Sequence, residues 1–310
     1  MIITVTLNPA LDKVIRVSRL TINGVNRVND TEIGAGGKGI NVSKVIKALG
    51  GESIAMGILG GEGGMYIQHT LSQLDINSRF CFVDAPTRTN LKIIDESMRT
   101  ATEINERGEP VSIETLNEVF ENIKQKVQPG DTVIFAGAVP PGTPPSLLAE
   151  WTSYLQERGI HVCIDTSGEP LRLAVDAGPE LIKPNKEELE ELCGTRLYFD
   201  VDVIAAAKAL IARGVKCVAV SLGAEGALFV TDNTVIRAHG VRVPVINAAG
   251  AGDAMMAALV YYSREGLSWD KAIAKAMAVA AAYVSVPITE TDMPLHAQEL
   301  FPKVRVDTLM

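Results

Sequence analysis

The chain has 310 residues, of which 47% are hydrophobic and 21% charged, and this composition excludes a wholly disordered, collagen-like or coiled-coil protein. The 29 basic and 37 acidic residues give a net charge of −8, which argues against a nucleic-acid-binding protein because such proteins present a basic face. With 5% aromatic residues and 27 glycines, the core must consist mainly of small aliphatic side chains, as in the close helix-on-sheet packing of α/β proteins.

Short β-branched and apolar runs alternate with helical patterns along most of the chain. The runs that predict buried strands are 2–7, 53–59, 132–136, 162–165, 181–183 and 217–221. The helical patterns are 38–49, 65–74, 113–127, 145–158, 186–193 and 203–213, followed after a hairpin (227–231 and 234–238) by 251–264 and 269–286. This alternation predicts an α/β fold with a mostly parallel sheet and helices on both of its faces.

Two segments, 14–29 and 80–105, alternate apolar and polar residues and contain no crossover helix. They predict antiparallel strands of a small separate sheet. Such a sheet could cover a cleft as a lid, and a surface layer without function is the alternative. We therefore expect a single domain over 1–310 with lid strands within about 13–30 and 80–106, whose exposed edge offers a surface for a homodimer.

The chain carries no pattern of secretion or membrane insertion. Its N-terminus lacks the features of a signal peptide, and the most apolar late segment, 272–286, is too short to span a bilayer. The four cysteines stand far apart without a CxxC pair, which favours buried free thiols, and the four histidines lack zinc spacing. We expect a cytoplasmic protein with no membrane partner.

Two polar motifs occur early in the chain. Asn8 to Asp12 directly follow the first strand, at the strand end where α/β proteins bind ligands, although Asp12 alone would be an ordinary turn residue. Gly34 to Asn41 formally match GxGxxG, but the clear strand 2–7 does not lead directly into this loop, as it would in a dinucleotide-binding fold. A Walker A loop is also excluded, because Lys38 is followed by Gly39 rather than by serine or threonine. The loop could bring Lys38 and Asn41 to a small polar ligand, or it could simply begin a helix.

Two further motifs follow predicted strands in the second half. Asn185 and Glu188 have the spacing of a capping box, and the alternative is that they orient water around Mg²⁺ on a nucleotide. The turn from Ser221 to Gly226 suits the close approach of a ribose or phosphate.

The strongest local signal is Gly250-Ala251-Gly252-Asp253 at the start of a helix. Uncovered backbone amides at the positive end of a helix form an anion site. Asp253 could be a plain helix cap, or a base that takes a hydroxyl proton beside the anion site. Together, the motifs are five polar or glycine-rich segments that we expect at the strand ends where α/β proteins bind ligands.

With these motifs the chain resembles the PfkB (ribokinase-like) carbohydrate kinases over nearly its whole length. The hallmark segments are 36–42 and 247–253, and the other matching segments are 8–12, 87–90, 137–142, 183–185 and 221–226. The set is similar to the branch that phosphorylates sugar phosphates: fructose 1-phosphate, tagatose 6-phosphate or fructose 6-phosphate. The tail, 291–294 and 304–307, resembles the enzymes that act on fructose 1-phosphate more than those that act on tagatose 6-phosphate.

The resemblance implies a three-layer α/β/α domain with a β lid and an ATP-dependent sugar-phosphate kinase that uses Mg²⁺. It implies that Asp253 is the base and that Gly250, Ala251 and Gly252 form the anion hole. The residues implied for the sugar phosphate are Asp12, Gly37, Asn41 and Asn90, with Arg88, Lys38 and Arg27 for its phosphate group. Those implied for the nucleotide are Lys183, Asn185, Ser221, Gly223, Ala224, Glu225, Gly226 and Gly252, with Asn185 and Glu188 holding the metal through water.

The chain departs from the family pattern where hydroxyl or β-branched residues are usual. Alanines stand at these positions, namely Ala138, Ala248, Ala249 and Ala254. These changes leave the base and the amides in place, but they remove hydroxyl contacts to the phosphate, the sugar or a monovalent cation. Two alternatives from other classes are a dinucleotide-binding oxidoreductase and a catalytically silent sugar-phosphate sensor, the latter disfavoured by the presence of Asp253.

Overall fold

The computed structural model describes residues 1–246, 249–286 and 293–309. The strands are β1 (Ile2–Thr6), β2 (Ala10–Val17), β3 (Asp30–Gly36), β4 (Ile54–Gly60), β5 (Asn77–Val83), β6 (Arg88–Asp95), β7 (Thr100–Asn105), β8 (Thr132–Ala136), β9 (His161–Asp165), β10 (Leu181–Ile182), β11 (Cys217–Ser221), β12 (Gly226–Thr231), β13 (Val235–His239) and β14 (Val306–Thr308). The helices are α1 (Lys38–Ala48), α2 (Gly61–Gln73), α3 (Ile113–Lys124), α4 (Leu147–Gln156), α5 (Gly168–Asp176), α6 (Lys186–Cys193), α7 (Asp200–Ala212), α8 (Ala251–Arg264), α9 (Trp269–Ser285) and α10 (Met293–Leu300).

The large sheet has ten strands in the order β14-β13-β12-β11-β10-β9-β8-β1-β4-β5. The strands from β11 through β1 to β5 are parallel, and β12 to β14 extend the sheet as antiparallel strands. At the centre, Val5 of β1 pairs with Met56 on one side and Phe135 on the other. All five residues of β1 are buried, as expected for a strand covered on both faces.

Helices cover both faces of this sheet. On one face, α3, α4, α5, α6 and α7 pack their apolar side chains against the strands, with Phe120 stacked on Trp151 at 4.7 Å between ring centroids. On the other face, α1, α8, α9 and α10 form a second core that is rich in alanine, valine and methionine. The α/β class predicted from the sequence, with three layers, a mostly parallel large sheet and a smaller second sheet, is confirmed.

The boundaries of the elements agree with the sequence pattern where the pattern is strong. β8, β11, α6 and α8 begin and end at the predicted residues. The pattern misses α5, because Gly168 and Pro170 in a nine-residue segment are typical of a loop, although proline is compatible with the first turn of a helix. It also misses α10 and β14, which follow the last predicted helix.

The small sheet has the strand order β3-β2-β6-β7 and differs in two ways from the prediction. Its central pair, β2 and β6, is parallel and only the outer pairs are antiparallel, because the chain passes through β4, α2 and β5 before it returns. Strand β5, which overlaps the predicted lid segment 80–106, belongs to the large sheet instead. The segment 18–29 contains no strand, and β3 begins only at Asp30.

The four cysteines are free thiols, and Cys81, Cys163 and Cys217 are buried as predicted. No helix in the described ranges has the length and the apolar composition that crossing a bilayer requires.

Candidate active site

The carboxylate of Asp253 lies buried in the first turn of α8. Asn41 of α1 donates a hydrogen bond of 2.9 Å from Nδ2 to Oδ2 of Asp253. The pKa of Asp253 is raised to about 6, chiefly by burial and secondarily by the negative charge of Asp165. A carboxylate with this pKa is a better proton acceptor near neutral pH than an ordinary aspartate.

Backbone amides surround this carboxylate at the start of α8. Gly250 adopts a φ of +86°, a left-handed conformation that side-chain-bearing residues rarely adopt. The amide of Ala254 is bonded to the Gly250 carbonyl, so the amides of Ala251, Gly252 and Asp253 precede the intrahelical hydrogen bonds. Three N–H groups at the positive end of a helix form an arrangement that can hold an anion.

A second buried carboxylate, Asp165, lies at the end of β9 and holds two lysines together. Nζ of Lys38 donates a 2.7 Å hydrogen bond to Oδ1 of Asp165, and Nζ of Lys183 lies 3.0 Å from Oδ2. Burial alone would raise the pKa of Asp165, but the two ammonium groups outweigh burial and lower it. The same carboxylate raises the pKa of Lys38 against the effect of burial.

The lysines lie beside the start of α8. A Cβ atom on Gly252 would lie 2.8 Å from Nζ of Lys183, so only a glycine lets this ammonium group approach the backbone so closely. The charges of Asp253 and Glu188 also act on Lys38. Two ammonium groups therefore adjoin the exposed amides of α8. Asp165 was not predicted from the sequence, although the polar run 165–168 after β9 resembles the polar segments at the other strand ends.

A row of polar side chains leads from Asp253 to the small sheet. Asp12 of β2 and Asn90 of β6 are paired in register, and Nδ2 of Asn90 donates a 3.0 Å hydrogen bond to Oδ1 of Asp12. Burial raises the pKa of Asp12, and this hydrogen bond partly opposes the rise. A Cβ atom on Gly36 would lie 2.2 Å from this carboxylate, which explains why glycine is required there.

Lys44 of α1 is a further charged residue of this region, and it was not predicted from the sequence. Its Nζ donates a hydrogen bond to the Ala35 carbonyl, and the charges of both Asp12 and Asp253 act on it. Burial lowers the pKa of Lys44 to about 8. The signal that could have identified it is a lysine three residues after Asn41, in a helix whose nearby residues Val42, Val45 and Ile46 are apolar and buried.

Arg88 begins β6 at the outer end of the row, and its guanidinium is half-buried. Nη1 donates to the Glu106 carbonyl at 2.7 Å, and Nη2 donates to the Asn8 carbonyl at 3.1 Å. Nη1 also lies 3.3 Å from Oδ1 of Asn90, which joins Arg88 to the row. Burial lowers the pKa of Arg88. Arg27, by contrast, is exposed on the connection between β2 and β3.

A cleft of about 570 Å³ opens on the opposite side of Asp253. Its walls are the starts of α6 and α7, the turn after β11, the start of α8 and one face of α9. The lining residues are Asn185, Lys186, Glu187, Tyr198, Phe199, Asp200, Val203, Ser221, Leu222, Gly223, Glu225, Gly226, Ala251, Gly252, Met255, Met277 and Ala280. Of the eight residues predicted for the nucleotide, six line this cleft, and Lys183 and Ala224 do not. Ala251 and Gly252 bring the start of α8 into its wall.

Two exposed aromatic rings at the mouth of this cleft are absent from the predicted site. Tyr198 is 75% exposed and Phe199 is 71% exposed, immediately before α7. Large apolar side chains at such exposure indicate a surface that a planar ligand can cover.

Arg237 of β13 supports the cleft from behind. Its buried guanidinium forms a 2.8 Å ion pair from Nε to Asp200 and a 3.0 Å hydrogen bond from Nη1 to the Glu225 carbonyl. It therefore ties the start of α7 to the turn that precedes Gly226. The sequence shows Arg237 only as one polar residue in a hairpin strand.

Asn185 and Glu188 form the capping box that their spacing predicts. Oδ1 of Asn185 accepts from the Glu188 amide at 2.7 Å, and Oε2 of Glu188 accepts from the Asn185 amide at 2.9 Å. Oε1 of Glu188 is not part of this box. No cluster of three histidine, cysteine, aspartate or glutamate side chains in the described ranges could hold a metal ion. This donor set fits Mg²⁺ that is bound mainly by phosphate oxygens and water, with Glu188 reaching a water.

The alanines that depart from the family pattern have different positions. Ala254 is fully buried in the core of α8, and Ala138 lies in the loop after β8. Ala249 immediately precedes the glycine at the start of α8. Ala248 lies outside the described residues, as do Asn247 in the late hallmark segment and 291–292 in the tail.

The whole chain is similar to known carbohydrate kinases. The model of the pfkB family carbohydrate kinases matches residues 5–295. The chain is 35% identical over 285 residues to a 1-phosphofructokinase of Haemophilus influenzae, covering 92% of this chain and 91% of that protein. It is 32% identical over 309 residues to a 1-phosphofructokinase of Bacillus subtilis, covering 100% of each.

A similar solved structure is that of phosphofructokinase-2 from Escherichia coli in complex with fructose-6-phosphate. It matches with a TM-score of 0.91 and 28% identity, and the match covers 97% of this chain and 98% of that chain. Another structure of the same protein is a tetrameric inhibited form.

Proposed function

Because the chain belongs to the pfkB family of carbohydrate kinases, we propose that it transfers the terminal phosphoryl group of ATP to fructose 1-phosphate, forming fructose 1,6-bisphosphate. The chain is an ATP-dependent sugar-phosphate kinase that acts on a fructose phosphate. The observation that supports fructose 1-phosphate as the acceptor is the identity of 32–35% to 1-phosphofructokinases over at least 92% of this chain. Family membership argues against the dinucleotide-binding oxidoreductase.

Asp253 is the proposed general base. Its carboxylate would accept the proton of the acceptor hydroxyl while Asn41 holds Oδ2 in place through the 2.9 Å hydrogen bond. The pKa of about 6 keeps most of the carboxylate ionised at pH 7 and still basic enough to take a proton. Asp12 and Asn90, with Gly37 at the start of α1, would hold the ring hydroxyls of the sugar.

Arg88 would bind the phosphate group already on the sugar. Its planar guanidinium suits two parallel hydrogen bonds to phosphate oxygens, which requires that it exchange carbonyl acceptors such as Asn8 for the substrate. Arg27, which lies on the exposed connection of the small sheet, would approach this phosphate group when the sheet covers the sugar. The positions of both arginines agree with a phosphate bound at the far end of the row from Asp253.

The charge on the transferring phosphoryl group would be balanced by the amides of Ala251 and Gly252 together with Lys38 and Lys183. This assignment revises the prediction for Lys38, because its partner Asp165 holds it beside α8 rather than with Arg88. Phosphoryl transfer depends mainly on positioning and on charge stabilisation. A pair of lysines fixed by one buried carboxylate provides both.

The 570 Å³ cleft would hold the nucleotide, with the base toward Tyr198 and Phe199 and the phosphates toward the start of α8. Ser221 and the turn up to Gly226 would contact the ribose side. When bound, Mg²⁺ would offset the negative charge of the phosphate groups. Glu188, and Asn185 through its amide group, would orient the water molecules around this ion.

The test is turnover of a panel of phosphorylated sugars, measured as ADP release. Fructose 1-phosphate should give the highest kcat/KM, with fructose 6-phosphate and tagatose 6-phosphate lower and free fructose lowest. Fructose 6-phosphate is the second candidate because the solved structure with a TM-score of 0.91 contains it. Binding of a sugar phosphate without ADP release would instead support the silent sensor, and preference for free fructose would contradict the assignment of Arg88.

We also propose that two copies pair through the small sheet. The connection from β2 to β3 exposes Ile22 and Val25, which are 91% and 86% exposed, and Met98 in the turn after β6 is 63% exposed. Light scattering should give twice the chain mass of 33.1 kDa, and aspartate at both Ile22 and Val25 should give monomers. A wild-type monomer would contradict this.

Because ATP and sugar phosphates are metabolites of the cell interior, we propose a cytoplasmic location, where free thiols stay reduced.

A further inference from the structure

Tyr283 of α9 lies beside the start of α8 and is not among the predicted site residues. A Cβ atom on Gly250 would lie 2.7 Å from Cε1 of Tyr283 and 3.0 Å from its hydroxyl oxygen. The phenol therefore lies next to Gly250, the residue that precedes the exposed amides at the start of α8. Its hydroxyl has no hydrogen-bond partner among the residues that the structure describes.

Tyr283 also lies on the side of α9 that adjoins the nucleotide cleft. Met277 and Ala280 of α9 line the cleft, and Tyr283 follows Ala280 by three residues, which puts it on the same helix face. Ala251 and Gly252, which directly follow Gly250, line the cleft as well. Tyr283 therefore lies where the terminal phosphate of a bound nucleotide would arrive.

The electrostatic surroundings of Tyr283 include the acceptor side of the proposed site. Asp253 and Asp12, the two carboxylates of the acceptor side, both act on its hydroxyl. Burial and these two charges raise the pKa of Tyr283 to about 12. At neutral pH the group is therefore a neutral phenol that can donate a hydrogen bond.

We propose that the Tyr283 hydroxyl donates a hydrogen bond to an oxygen of the phosphoryl group as it passes from ATP to the acceptor, adding a side-chain donor to the amides of α8. This proposal rests on the kinase function proposed above. The phenol keeps its proton throughout, so the step adds charge stabilisation without a further proton transfer. The competing explanation is that the ring only packs against Gly250.

The Tyr283→Phe variant separates these explanations, because it keeps the ring and removes the hydroxyl. Loss of a hydrogen bond to a charged group should lower kcat by about 10- to 100-fold. KM for ATP and for the sugar phosphate should change by less than about twofold, since the contact strengthens only in the transition state. Tyr262→Phe is the matched control, because Tyr262 packs under Lys275 on the outer part of α8. It should behave as wild type.

A binding measurement makes the test independent of the natural acceptor. ADP with fluoroaluminate mimics the transferring phosphoryl group, and its affinity relative to ADP alone should fall in Tyr283→Phe while the affinity for ADP stays unchanged. Wild-type protein that turns over no sugar phosphate would overturn the proposed function, and the fluoroaluminate comparison would still decide the role of Tyr283. An active wild type, with wild-type kcat and fluoroaluminate affinity in Tyr283→Phe, would overturn only the present proposal.

Discussion

Asn41 donates a 2.9 Å hydrogen bond to the carboxylate of Asp253 across 212 residues of sequence. This contact joins the start of α1 to the start of α8, both of which lie in glycine-rich segments. It fixes Oδ2 of the carboxylate, and Oδ1 is not part of this hydrogen bond. The proposed mechanism depends on this geometry, because the hydrogen bond holds the base in place.

Arg88→Ala should raise KM for the sugar phosphate by about 10- to 100-fold and leave KM for ATP nearly unchanged. The reason is the loss of a bidentate, charge-assisted contact with the phosphate, which contributes roughly 1.5–3 kcal/mol. Steady-state kinetics with each substrate varied in turn measure it. Arg16→Ala is the control, since Arg16 lies on the same sheet in an exposed ion pair with Glu32. Equal effects on both substrates would contradict the role of Arg88.

Arg237→Met should raise KM for ATP several-fold and leave KM for the sugar phosphate unchanged. The variant loses the ion pair with Asp200 and the hydrogen bond to the Glu225 carbonyl, so two walls of the cleft are no longer tied together. The free energy of unfolding should fall by roughly 1.5–3 kcal/mol. Arg213→Met, which removes a more exposed ion pair with Asp176, is the control. A loss of stability without any change in KM for ATP would show that Arg237 is only structural.

The pH dependence of activity should report Asp253. Because its pKa is raised to about 6, the carboxylate becomes protonated as the pH falls below 6 and can no longer accept the hydroxyl proton. The value of kcat/KM should therefore fall about tenfold per pH unit below pH 6 and be level above pH 7. The residual activity of Asp253→Asn should lack this decline, which distinguishes Asp253 from Asp12. A decline that persists in the variant would assign it to another group.

Stability should also change with the charge of Asp253. A folded-state pKa above the ordinary value of 3.8 means that the folded chain disfavours the ionised form. Asp253→Asn should therefore unfold at a higher temperature than wild type at pH 8. The difference should shrink as the pH falls through 6 toward 4, where the wild-type carboxyl is protonated. Melting curves across this range measure it, and a variant less stable than wild type at pH 8 would contradict the raised pKa.

The sequence predicted the layers of the fold because strand and helix periods alternate clearly in the chain. It also predicted that Asn41, Asn185, Ser221 and Asp253 lie near one another, since each follows a strand end or begins a helix. The parallel pairing of β2 with β6 was not predictable from the pattern. Alternation of polar and apolar residues gives the face of a strand but not the direction of its neighbour.

The residues that the sequence analysis missed act through contacts that are distant along the chain. Asp165 is one polar residue after a short strand, and its role follows only from the two lysines that meet it. Tyr283 belongs to an alanine-rich helix pattern, and only the packing of α9 on Gly250 reveals its position. The burial of such residues and their contacts with distant parts of the chain depend on the tertiary structure, so a local sequence pattern cannot predict them.

Single-turnover kinetics of Asp253→Asn test the central claim most directly. With ATP prebound and saturating fructose 1-phosphate, the rate of phosphoryl transfer should fall by about 10²- to 10⁴-fold, because the variant keeps the shape and the Asn41 contact but cannot accept a proton. The Kd for ATP and the folded state should be retained. A transfer rate within about threefold of wild type would contradict the account and leave Asp253 as a structural residue at the start of α8.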